Sequence, residues 1–65
     1  MTDNAKSVLS YMQKHKTAKD NSFYFVDLLS SGVPAAELES CLDELCSDAY
    51  IDADTTYPQT VYSVL

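Results

Sequence analysis

The side chains able to do chemistry are few in this chain, and their spacing argues against catalysis. A nucleophilic site needs a base within hydrogen-bond reach of a thiol or hydroxyl. The single histidine, His15, stands between Lys14 and Lys16 with no cysteine or serine at a spacing that implies activation, so it reads as a surface residue. A zinc site needs about four ligands at short, characteristic spacings. Cys41 and Cys46 with one remote histidine lack a fourth ligand. The carboxylates Glu37, Glu39, Asp43 and Glu44 do not follow the calcium-loop pattern and lie on a helical stretch, where their side chains splay apart. One glycine, Gly32, leaves no room for a glycine-rich phosphate loop. The chain is therefore expected to be no enzyme, with no metal, cofactor or small-molecule substrate.

Cys41 and Cys46 are five residues apart in a helical pattern, which turns their side chains away from each other. They are expected to be buried, reduced thiols, which suits the cytoplasm. No apolar run approaches the roughly 20 residues that span a bilayer, and Met1 to Ser10 lacks the charged start and apolar stretch of a signal peptide. Cytoplasmic residence without a membrane is the expectation.

Charge is the most informative single property. All four lysines, Lys6, Lys14, Lys16 and Lys19, fall in residues 1–20, where Asp3 and Asp20 leave a balance of +2. Residues 21–65 carry eight carboxylates and no basic residue, a balance of −8, so the net charge is −6. At 65 residues with 46% hydrophobic content, the chain is expected to form one domain, 1–65. Domains below about 70 to 80 residues gain only a few kcal/mol from one core, which favours a partner subunit or self-association.

The elements that must position these groups follow from periodicity. Ala5, Val8, Leu9 and Met12 recur at helical steps and predict a first helix over about Asn4 to Lys16, with Thr2, Asp3 and Asn4 as candidate caps. Thr17 to Ser22 is polar and reads as a connection, with Asn21 or Ser22 placed to cap the next element. Phe23, Val26 and either Phe25 or Leu29 give an apolar stripe to a second helix, Tyr24 to Ser31, ended by Gly32. A short strand at Ser22 to Phe25 is the competing local reading. Pro34 opens a third helix that stops near Asp48 and buries Leu38, Leu42 and Leu45, with Cys41 and Cys46 flanking that stripe. Tyr50 to Ala53 and Thr60 to Leu65 predict a hairpin with its tip around Pro58, in which Tyr50 and Tyr62 pair across the strands.

The stretch from Val26 through Gly32 to Pro34, followed by Leu38, Leu42, Leu45 and Tyr50-Ile51, resembles the winged helix-turn-helix superfamily. The resemblance implies an α+β fold: three helices with a C-terminal two-stranded β-hairpin wing. The family often has a glycine between the third helix and the wing. Asp48-Ala49 stands there instead, which implies a frayed or differently turned helix end. DNA-binding members present basic and polar residues on the third helix, whereas this one presents Glu37, Glu39, Asp43 and Glu44.

DNA affinity depends on Lys or Arg at phosphates, and base readout leans on Arg, Lys, Asn and Gln. Pro34 to Asp48 holds none of these, and the wing offers Asp52 and Asp54. The expected function is a non-enzymatic protein-interaction module, a small transcription-related accessory or regulatory protein acting through its acidic face. Glu37, Glu39, Asp43 and Glu44 would steer the partner and Tyr57, at the hairpin tip, would pack against it. The alternative is a DNA-binding regulator that uses an atypical lysine face, Lys14, Lys16 and Lys19.

Overall fold

A computed structural model describes residues 1–17, 19–56 and 58–65. Helix α1 (Asp3–His15) starts at Thr2, whose side-chain oxygen accepts the Ala5 N–H at 3.2 Å. Asp3 in the first turn and Lys14 and His15 in the last complement the helix dipole. Its buried face is Ala5, Val8, Leu9 and Met12, the stripe expected from spacing. After the helix, Thr17 and Asp20 hydrogen-bond to each other. The Thr17 N–H donates to the Asp20 carbonyl at 2.8 Å, and the Thr17 hydroxyl oxygen accepts the Asp20 N–H at 2.9 Å.

Both readings weighed for the next segment are realised, one after the other. Ser22–Phe23 forms strand β1, and α2 (Phe25–Leu28) continues as a 3₁₀ turn over Leu29–Ser31. The junction is set by Asp27, whose carboxylate accepts the Tyr24 N–H at 3.0 Å and starts the helix at Phe25. This corrects the caps expected at Asn21 or Ser22. The Asn21 side chain pairs instead with Val64, donating to its carbonyl and accepting its N–H, so one amide prolongs the sheet by a residue. The apolar stripe changes as well. Phe23 belongs to the strand, Leu28 takes the core position of α2, and Val26 and Leu29 are exposed. Gly32 ends the segment at φ 91°, a left-handed conformation open to glycine at little cost.

Helix α3 (Ala35–Ser47) begins after Pro34, whose carbonyl accepts the Glu37 and Leu38 N–H groups at 2.9 Å each. It buries Leu38, Cys41, Leu42 and Leu45. At its end the Ala49 N–H bonds the Cys46 carbonyl at 3.1 Å, and the Tyr50 N–H bonds the Leu45 carbonyl at 3.0 Å. These are the two bonds of a Schellman cap, which needs its pivot residue left-handed. The pivot is Ala49, at φ 62°. The helix thus ends in an ordered cap without a glycine, and the end is not frayed. An L-residue in this region is strained by roughly 1–2 kcal/mol. Ala49→Gly is therefore expected to stabilise the domain by about 1 kcal/mol and raise its Tm by roughly 4–8 °C in a thermal melt; an unchanged or lower Tm would refute the strain.

Strands β2 (Ile51–Asp54) and β3 (Val61–Val64) pair antiparallel with Ile51 opposite Val64 and Ala53 opposite Tyr62. Strand β1 adds to the other side of β3, so the expected two-stranded wing is part of a three-stranded sheet of order β1-β3-β2. The register corrects the expected Tyr50–Tyr62 pair. Tyr62 faces Ala53 and Phe23, while Tyr50 precedes β2 and accepts the Leu65 N–H at 3.1 Å. Side chains alternate along a strand, so Tyr50 and Tyr62 project to opposite faces. The sheet, α1 and α3 enclose one core, to which Ile51, Phe23 and Val64 bring the sheet's inner face.

Candidate partner-binding face

The four carboxylates of α3 do not form one patch. Glu37 and Glu44 are seven residues apart and share one side of the helix; Glu39 and Asp43, four apart, share the other. The buried stripe of Leu38, Leu42 and Leu45 runs between the two pairs. Glu37 and Glu44 turn toward the start of α1. The Glu44 carboxylate accepts the Thr2 N–H at 3.1 Å, and the Glu37 carboxylate accepts from the Asn4 side-chain amide. The N-terminal turn of a helix is its positive end, so this pair ties α3 to α1 and is partly spent within the molecule.

Glu39 and Asp43 look the other way, toward the sheet. Glu39 lines a cleft of about 310 Å³ with Phe25 of α2, Gln59 and Thr60 before β3, and Tyr62 of β3. Burial pushes the Tyr62 phenol above its ordinary range, and the negative charges of Asp43 and Glu39 add to the effect. Tyr62 therefore stays a neutral hydroxyl near neutrality. Asp52 of β2 is opposite Ser63 and so projects to the sheet face away from Tyr62. Burial first, then Asp43 and Asp52, raise the Cys46 thiol. Cys41 is raised likewise by burial, then by Glu44 and Glu37. Both cysteines are free, and the raised values favour the inert thiol over the reactive thiolate.

Among the expected contact residues, Tyr57 lies outside the described residues. Lys14, Lys16 and Lys19 are all exposed, in the last turn of α1 and the connection after it. Phe25, Gln59, Thr60 and Tyr62 were not singled out as site residues by spacing, because three elements distant in sequence bring them together. Glu39 and Asp43 were separable from Glu37 and Glu44 by helical phase alone. Among the described residues, no group of three or more His, Cys, Asp or Glu side chains is placed to hold a metal ion. No helix there is long and apolar enough to cross a membrane.

Three helices packed on a three-stranded antiparallel sheet, with β2 and β3 as the wing, make this a winged-helix-like α+β domain. A solved structure of HOP2, from work on its DNA recognition and protein interaction domains and its homologous DNA pairing, is similar to it. The two superpose with a TM-score of 0.76 over 95% of this chain and 98% of that one, at 19% sequence identity. No protein-family model and no curated protein matches the chain.

Proposed function

We propose that this domain is a non-enzymatic protein-interaction module that captures a basic segment of another protein through the surface formed by Glu39 and Asp43. The observation that carries this reading is the charge of the third helix and wing. From residue 21 onward they present carboxylates and no lysine or arginine, on the elements that DNA-binding winged helices are expected to turn to phosphate. Each carboxylate brought to a phosphate adds repulsion and desolvation cost, whereas a basic protein surface meets complementary charge. HOP2 is described through both DNA recognition and protein interaction, and the acidic surface here favours the second. The transcription-related setting rests on the fold pattern alone, and the cytoplasmic setting on the two reduced thiols. Self-association through this face is disfavoured because each copy brings a net charge of −6. The alternative, DNA binding through Lys14, Lys16 and Lys19, draws on the exposure of those three side chains. The two readings separate in paired titrations of the chain against a labelled lysine- and arginine-rich peptide and a labelled mixed-sequence duplex. The module reading expects peptide binding that weakens with salt, and the regulator reading expects duplex binding.

A further inference from the structure

The cleft beside α3 has a lining that selects one kind of ligand. Phe25 and Tyr62 supply aromatic rings, Glu39 a carboxylate, and Gln59, Thr60 and Tyr62 neutral oxygens able to accept hydrogen bonds. An anion would meet Glu39 with repulsion. A purely apolar group would leave that carboxylate without a partner in the cleft. A cation on an apolar stem satisfies both halves of the lining: rings attract positive charge over their faces, and the stem covers apolar surface. The volume of about 310 Å³ lies at the small end of ligand pockets and suits one extended side chain.

We propose that this cleft receives the side chain of an arginine carried by a basic segment of a protein partner. The proposal rests on the protein-interaction reading above and names the chemistry of its contact. Arginine fits better than lysine for two reasons. Its planar guanidinium stacks on rings and forks onto a carboxylate, and its five N–H donors match the several acceptors of the lining. A lysine ammonium is more strongly hydrated and has three donors. Asp43, one turn along α3 from Glu39, supplies the charge that draws neighbouring basic residues of the segment to the cleft's margin.

The test is an NMR titration of the isotope-labelled full chain with three short basic peptides identical except at one central position, which holds arginine, lysine or citrulline. Citrulline keeps the shape of arginine and lacks its charge. The expected result is amide shifts concentrated at Phe25, Glu39, Gln59, Thr60 and Tyr62, and binding of the citrulline peptide weaker by about tenfold or more. Glu39→Gln, an exposed site where folding is not at stake, should erase the preference for arginine, and Phe25→Leu should weaken it. Equal binding of the three peptides, shifts confined to residues away from the cleft, or a preference that survives Glu39→Gln would overturn the arginine site. Those results would leave the protein-interaction reading standing. Absence of binding by all three peptides would overturn both.

Discussion

Replacing Glu39 and Asp43 together by lysine should weaken binding of a basic peptide by about 100-fold while leaving the domain as stable as the unmodified chain. Both side chains are exposed and face the sheet side of α3, so the change replaces two negative charges by two positive ones at the contact surface without touching the core. The same reversal at Glu37 and Glu44 should do the opposite. These two carboxylates accept hydrogen bonds from Thr2 and Asn4 at the start of α1. Lysines there would remove both acceptors and set positive charge against the positive end of a helix. Lost hydrogen bonds at roughly 0.5–1.5 kcal/mol each and an unfavourable dipole term of some tenths suggest a loss of about 1–2 kcal/mol. Peptide affinity would fall far less than in the first variant. Chemical denaturation and peptide titration on the two double variants check this split. Equal effects of the two reversals on affinity would mean that all four carboxylates act as one diffuse field.

Leu45→Ala should leave most of the protein unfolded at physiological temperature. The side chain is fully buried where α3 faces α1 and the sheet. Truncating a buried leucine costs about 2–5 kcal/mol, from lost burial and the cavity left behind. A domain of this size has roughly 3–5 kcal/mol to lose. Leu65→Ala is the matched control, since that leucine is 74% exposed; its effect should stay within about 0.5 kcal/mol. Circular dichroism melts of the two variants compare them directly, and a cooperative, near-unmodified melt for Leu45→Ala would contradict the assignment of Leu45 to the core.

Helical periodicity carried most of the architecture. The spacing of Ala5, Val8, Leu9 and Met12, and of Leu38, Leu42 and Leu45, located two helices and their inner faces, because burial on one side of a helix leaves a direct imprint on sequence. The segment from Ser22 to Ser31 was harder. Phe23, Tyr24 and Phe25 suit strand and helix alike, and the boundary depends on the hydrogen bond from Tyr24 to Asp27 and on the pairing of β1 with β3, some forty residues away. Long-range pairing leaves no periodic trace in two residues. Asparagine and serine often cap helices, which makes Asn21 or Ser22 a cap candidate in sequence, whereas the actual partner of Asn21, Val64, is visible only once the sheet has formed. The candidate site divides in the same way. Its charge was plain from the absence of basic residues after position 20, but the cleft joins α2, α3 and β3, and no spacing rule predicts such a meeting.

Fluorescence anisotropy of a labelled mixed-sequence duplex, titrated with the full chain at low salt beside a labelled lysine- and arginine-rich peptide, is the most direct measurement. Non-specific phosphate binding is strongest at low salt, with dissociation constants of about 1–100 µM even under physiological conditions. The expected result is saturable peptide binding and a flat duplex signal to at least about 100 µM protein. A duplex signal that rises, falls with added salt and disappears when Lys14 and Lys16 are changed to glutamate would contradict it and place the function on the lysine face.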